Sequence, residues 1–344
     1  MEENTKENNI TDEIINPNKE VVSELMDEFK TTMAKAILNH YEKIEEKYNH
    51  KDLLWGYPTR FYDYDELTGG LHNSELTVVA ARHSMGKSSF VLNLALSLLE
   101  QKIPVLFISY EMNYDIISSR LLSTHSELNS QLFKNGNLKP QEFEKLIQSM
   151  NFLMESAESE LLNVVPECTF RYKELSDEIR KFKEKHSSGV VFVDYFQLIE
   201  LTKDEDRYSE LTNMAASFKR LTMEIDLPII LVSQVSKKRE DENNKRPRLS
   251  DLAECDALAQ HCDNLIFIYR EDYYDAEKSL LDADCEFASN PETRNIAEII
   301  VAKHKNGPTR TCKLLFQSVI TKFKNKPKAC LLYTSPSPRD ISGS

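Results

Sequence analysis

Leu76-Thr77-Val78-Val79-Ala80-Ala81-Arg82-His83-Ser84-Met85-Gly86-Lys87-Ser88 is the stretch that decides the fold. Its first half is a continuous run of small and β-branched residues. That is the signature of a strand covered on both faces rather than of a half-exposed one. The second half turns through a glycine into a helix starting near Gly86. A buried strand, a tight loop and a helix N-terminus in that order form an anion cradle, because successive backbone N–H groups converge on one point. Gly86 lets the backbone approach phosphate oxygens, Lys87 bridges the β and γ phosphates, and Ser88 offers a hydroxyl to Mg²⁺. Ser84, Met85 and Ser89 complete the set of residues expected around ATP phosphates. Ala81 stands where the pattern usually has its first glycine, so a chance turn rich in small residues is the alternative at this point.

Working outward, further short apolar runs follow at Val105–Ser109, Val190–Asp194, Pro228–Ser233, Leu265–Tyr269, Ile296–Ala302 and Lys313–Phe316. Polar helical stretches separate them, the longest over 113–160 with a break at Asn135-Gly136-Asn137. Strands alternating with helices predict an α/β fold with a mainly parallel sheet flanked by helices. Ligands of such sheets bind at the C-terminal ends of the strands. Three polar residues sit there. Asp194 ends one strand, where a carboxylate would hold the Mg²⁺ water shell. Glu111 follows another and could polarise an attacking water. Gln234 follows a third and could sense the γ-phosphate. Each alone reads as an ordinary strand-end residue; together with the loop they do not.

Composition sets the frame. The chain has 344 residues, 40% hydrophobic and 29% charged, which supports a sizeable core and excludes wholesale disorder. Its 43 Lys+Arg against 56 Asp+Glu give a net charge of -13, so nucleic acid would have to be met by a local basic patch. The six cysteines form no C-x-x-C pair, which disfavours zinc and redox motifs and reads as reduced thiols in a cytoplasmic compartment. Cys255 and Cys262 could share a helix face, with packing favoured over metal. No apolar run reaches the ~18–20 residues needed to span a bilayer.

The ends have their own character. Residues 1–20 are rich in Glu, Asn, Asp and Lys and are expected to be a disordered leader. Over 21–54, Val22, Leu25, Met26, Phe29, Met33, Ile37, Leu38, Tyr41 and Ile44 recur at three- and four-residue steps, predicting one or two amphipathic helices. Such a stripe must be buried on the main domain or on another subunit. Residues 326–344 read as a flexible tail. Leu331–Asp340 resembles a translated sequencing adapter, so residues from about 330 are expected to be foreign to the folded protein.

Seven ordered motifs resemble the RecA-type C-terminal domain of DnaB-like replicative DNA helicases. They are Gly56-Tyr57-Pro58-Thr59-Arg60-Phe61 with Asp65–Leu71, Ala81–Ser88, Ser109-Tyr110-Glu111-Met112, Val193–Ile199, Ser233–Ser236, Lys245–Leu252, and Ala302–Thr309. The resemblance spans residues 55 to about 320, within a domain expected over 55–325. It implies a RecA-like P-loop NTPase that assembles as a homo-hexameric ring, hydrolyses ATP with Mg²⁺ at subunit interfaces, and moves 5′ to 3′ along single-stranded DNA. It implies cytoplasmic work at the nucleoid and replisome, and no membrane. Residue by residue, Lys87, Ser88, Asp194, Glu111 and Gln234 match the family's phosphate, metal, base and sensor positions. Lys303 and Lys305 match the trans-acting finger motif, and the helix before Trp55 matches a linker that docks on the neighbouring subunit.

The departures carry expectations of their own. Lys305 stands where the family usually has Arg, keeping charge but losing the planar fork, so turnover is expected to be slow. Ala253-Glu254-Cys255-Asp256 stands where the DNA-contacting loop usually begins Arg-Glu-Ser-Gly, which weakens phosphate contact. Lys237, Lys238, Arg239, Arg248 and Glu254 are the candidate DNA contacts, with Lys245 and Arg246 nearby; a solvated mixed-charge loop is the alternative. The segment before Trp55 is too short to hold the family's N-terminal domain beside a docking helix, so either a short form or a truncated N-terminus is expected, and primase and loader contacts stay open. Two rival functions remain at this stage: a DNA-binding ATPase that does not unwind, and a ring-assembly subunit with little hydrolysis.

Overall fold

The computed structural model describes residues 32–50, 54–201, 206–235, 245–252, 256–274 and 294–327. The expected leader, the first part of the docking helix, Lys237, Lys238, Arg239, Glu254, Cys255 and the tail from 328 lie outside the described residues. The chain divides into two units, Met1–Leu54 and Trp55–Ser344. In the first, α1 spans Thr32–Asn49. Met33, Ile37, Tyr41, Ile44 and Tyr48 are exposed along it at helical spacing.

The second unit is built on one sheet. Its strands are β1 (Leu76–Ala81), β2 (Val105–Ser109), β3 (Leu162–Val165), β4 (Val190–Asp194), β5 (Ile229–Gln234), β6 (Asn264–Arg270), β7 (Ile296–His304), β8 (Arg310–Gln317) and β9 (Lys322–Asn325). The order across the sheet is β3-β2-β4-β5-β1-β6-β7-β8-β9. Neighbours from β3 to β6 are parallel and those from β6 to β9 antiparallel. The helices of this unit are α2 (Tyr62–Thr68), α3 (Lys87–Leu99), α4 (Tyr114–Ser126), α5 (Ser130–Asn135), α6 (Pro140–Glu158), α7 (Tyr172–Lys185), α8 (Arg207–Ile225) and α9 (Asp256–His261).

Alternate residues of β1 point to opposite faces, and each face has its own core. Val79 and Ala81 pack with Phe90, Leu94, Phe107 and Phe192 under α3 and α4. Leu76, Val78 and Ala80 pack with Leu175, Ile179, Phe218 and Leu221 under α7 and α8. All six residues of β1 are buried, which is why its sequence shows no polar alternation. Side-chain caps set several helix starts: the Asn113 side chain accepts from Ile116 N at 2.9 Å, and Glu142 accepts from Lys139 N at 2.8 Å ahead of Pro140.

Three expectations need correction. The helical stretch expected over 113–160 breaks at Glu127-Leu128-Asn129 as well as at the expected place, and is followed by an unexpected β3, a four-residue strand with half-buried side chains too short to show a period. The last strand expected at Lys313–Phe316 starts earlier, at Arg310, because pairing with β7 carries it outward. Nor is it the last strand: β9 pairs with β8, buries Phe323, and sends Lys322 and Lys324 to Glu127 at 2.8 and 2.6 Å. The Phe323 amide donates to Asn93 Oδ1 at 3.0 Å, tying this strand to α3.

Candidate functional site

The C-terminal ends of β1, β2, β4 and β5 converge on a cleft of about 490 Å³. Ser84, Gly86, Lys87, Ser88, Ser89, Glu111 and Gln234 all line it. Gly86 has φ 97° and Ser84 φ 61°, so the loop makes its turn through left-handed backbone. A Cβ on Gly86 would meet nothing closer than the Phe323 ring at 3.4 Å. The glycine is therefore needed for its conformation more than for room on the protein side. It forms the N-terminus of α3, which has no side-chain cap, so first-turn N–H groups are left to an anion. Met85 is buried in the core, so only its backbone amide can serve the cleft.

Lys87 folds back on the loop, donating to the Ala81 and Arg82 carbonyls at 3.1 Å each. Burial pulls its pKa down to about 8, against the opposing pull of the Asp194 and Glu111 charges. Asp194 is 1% exposed, and neither carboxylate oxygen has a hydrogen-bond partner of normal geometry. Burial pushes its pKa up to about 6; the Ser88 hydroxyl opposes the rise, Glu111 adds to it and Lys87 opposes it. An unpartnered buried carboxylate beside a serine hydroxyl is the donor set a hydrated divalent cation fits. Glu111 stands exposed at the cleft wall, directly after β2.

The Gln197 side chain clamps the end of β5. Its amide donates to Ser233 Oγ at 2.9 Å and the Gln234 carbonyl at 3.0 Å, and its carbonyl accepts from Gln234 N at 3.2 Å. This fixes the backbone that presents Gln234. The sequence reading missed other cleft residues: Arg120 from α4, Tyr195 after β4, Arg270 at the end of β6, and Phe316 and Ser318 at the end of β8. The Arg270 guanidinium lies 4.5 Å over the Phe316 ring. An arginine closing a parallel strand next to β1 was the available signal.

Lys303 and Lys305 are not in this cleft. Strand pairing sets Asn264 opposite both Thr77 and His304, so the lysines flank the opposite edge of the sheet, where β1 begins. At about 3.3 Å per residue the six residues of β1 separate the two edges by about 20 Å. Lys303 donates to the carbonyls of Ala259, Gln260 and Cys262 at 2.7, 3.1 and 2.7 Å. Its ammonium thus closes the C-terminus of α9. Those bonds occupy its three donors within its own chain. Lys305 donates to Asp263 Oδ1 at 2.9 Å and is 43% exposed. Burial works to raise the Asp263 pKa, but bonds from Leu76 N, Lys219 and Lys305 outweigh it and hold the carboxyl below its usual range.

Of the basic residues considered for DNA, Arg248 is exposed, its backbone N–H donating to Asp251 at 2.9 Å. Arg246 is committed elsewhere, to Glu298 at 2.7 and 2.8 Å and over the Tyr269 ring at 4.7 Å. Lys245 stands 4.4 Å over the Tyr274 ring.

The chain is 32% identical over 293 residues to the replicative DNA helicase DnaC of Bacillus subtilis, covering 84% of this chain and 61% of that protein. It is 34% identical over 312 residues to the replicative DNA helicase DnaB of Rickettsia conorii, covering 86% and 62%. It thus spans about three fifths of the length of these relatives. A solved DnaB-like replicative helicase, described with its interactions with primase, superposes with a TM-score of 0.75 at 29% identity, covering 92% of this chain and 73% of that one. Residues 56–325 match the DnaB-like helicase C-terminal domain, and the chain belongs to that family.

Proposed function

We propose that this chain is the motor subunit of an ATP-dependent replicative DNA helicase. Copies assemble as a ring hexamer, hydrolyse ATP between neighbours, and move 5′ to 3′ along single-stranded DNA. The observation that supports this best is the division of the catalytic set between two edges of one sheet. Phosphate, base and sensor candidates share one cleft, while the finger candidate Lys305 lies about 20 Å away. One chain cannot bring them together; a second copy can.

The chemistry follows from the residues. The amides of Ser84 to Ser89 and the N-terminus of α3 receive the phosphates. Lys87 exchanges its two loop carbonyls for phosphate oxygens, which a buried ammonium meets with little water in competition. Ser88 and Asp194 would hold Mg²⁺, which when bound supplies positive charge against the phosphate oxygens. Glu111 orients water for in-line attack, and Gln234, fixed by Gln197, reads the γ-phosphate. Lys305 of a neighbouring copy adds charge as the bond breaks. Arg270 and Phe316 offer a flat cationic and aromatic wall to the rest of the nucleotide.

Assembly has its own support. α1 exposes an apolar stripe, and α6 exposes Phe143, Ile147, Met150 and Met154 at helical spacing. We place α1 of one copy against α6 of the next, in the manner of a docking helix. A ring-assembly subunit with slow hydrolysis is the second reading, favoured by the lysine at 305, which lacks the fork of an arginine.

Steady-state ATP hydrolysis with and without single-stranded DNA tests the motor, with Lys87→Ala and Glu111→Gln as controls. Hydrolysis that rises with DNA and vanishes in both controls is expected, as is strand displacement on a forked duplex. Tight ATP binding with turnover no higher than the controls would leave the assembly subunit.

A further inference from the structure

Lys305 has four rotatable side-chain bonds and no planar fork, so its own chemistry does not aim it. Something else must fix the ammonium if it is to act on a neighbour. Asp263 is placed to do so. Its backbone N–H donates to the Leu76 carbonyl at 2.8 Å, and its Oδ2 accepts from Leu76 N at 2.8 Å, so both ends of the residue are tied to the start of β1. Lys219 also donates to Oδ2 at 2.7 Å and reaches on to the Ser74 carbonyl at 2.8 Å. That leaves Oδ1, which takes Lys305 Nζ at 2.9 Å. The backbone of Lys305 is held too, its N–H donating to the Asp263 carbonyl at 3.0 Å. The next residue, Asn306, donates to Glu75 Oε1 at 2.7 Å, which ties the loop to the residue before β1.

An ammonium has three donors. One is spent on Asp263, and the side chain is 43% exposed, which leaves the ammonium within reach of solvent. A carboxylate 7% exposed and bonded on three sides is a fixed point, so the ammonium it holds is fixed as well. We propose that Asp263 is the positioning residue for Lys305: it replaces the missing fork by pinning the ammonium where the nucleotide of a neighbouring copy meets it. This rests on the trans role of Lys305 in the proposed function. It gives the substitution at 305 a compensation in the chain itself.

Mixed assemblies test it. Full-length Lys87→Ala chains, whose phosphate site is dead and finger intact, are co-assembled with Lys305→Ala chains, whose site is intact and finger missing. Recovered ATP hydrolysis reports a finger working in trans. Asp263→Asn is then placed on one chain type at a time. Recovered kcat is expected to fall at least tenfold further when the substitution is on the finger-supplying Lys87→Ala chain than on the other, with KM for ATP little moved. Equal losses on either chain would make Asp263 a structural residue and overturn the proposal. If the Asn variant does not fold, Asp263→Glu keeps the charge and moves the anchor by one methylene. It is expected to show the same one-sided loss; full activity on the finger-supplying chain would overturn positioning. No recovery in the parental mixture would sink the trans reading, and this inference with it, before Asp263 is changed.

Discussion

Burial of the Asp194 carboxyl makes the stability of the fold depend on pH. Its pKa moves from 3.8 to about 6 because burial penalises the charge. At about 1.4 kcal/mol per tenfold change in proton affinity, that amounts to about 3 kcal/mol. The sign follows from linkage. Between the two values the folded state binds more protons than the unfolded one, so stability falls as pH rises from about 4 to about 6. Asp194→Asn removes the titration but adds a fixed cost for its own unpartnered amide. That fixed cost cancels when the two proteins are compared across pH. In urea unfolding without nucleotide or metal, the stability of the variant relative to wild type is expected to climb by up to ~3 kcal/mol between pH 4 and 7, then level off. Mg²⁺ with ATP should stabilise wild type and do less for the variant, which should not turn over. A difference that stays flat with pH would show that Asp194 is not held charged against burial, and the case for a cation there would lose its footing.

Other substitutions separate the roles of neighbouring residues. Lys303→Ala should cost about 1 kcal/mol of stability by uncapping α9, and should slow hydrolysis far less than Lys305→Ala does. Gly86→Ala must hold a side chain at φ 97°, which should cost about 1–3 kcal/mol in thermal unfolding and weaken ATP binding in a filter or calorimetric assay. Gln197→Ala removes the bonds that fix the end of β5, and should lower kcat in steady-state assays with little change in nucleotide affinity, because the presentation of Gln234 is lost.

Much of this molecule is legible from its chain because buried parallel strands are continuous apolar runs. β1, β2, β4, β5 and β6 all announce themselves so, and the acids sit where such strands end. β3 and β9 do not. Leu162–Val165 is four half-buried residues, and Lys-Phe-Lys-Asn carries one apolar side chain, so pairing rather than pattern makes them strands. Arg120, Arg270 and Phe316 reach the cleft from three distant segments, and nothing local marks that convergence. Lys303 shows the limit from another side. Its motif suggests chemistry, and nothing in that motif foretells that its ammonium also holds the C-terminus of α9, which depends on where that helix ends in space.

β1 also has a mechanical meaning. It is hydrogen-bonded along both sides, to β5 and β6, and sealed above and below. Such a strand has few ways to deform on its own and is held by its neighbours along its whole length. One end carries the loop holding Lys305, through Glu75 and Leu76, and the other runs into the phosphate loop. If Lys305 meets the nucleotide of a neighbouring copy, as proposed, a displacement of its loop is passed along β1 to the phosphate loop. In a closed assembly the sites would be geared in series, each one's displacement setting the strain on the next.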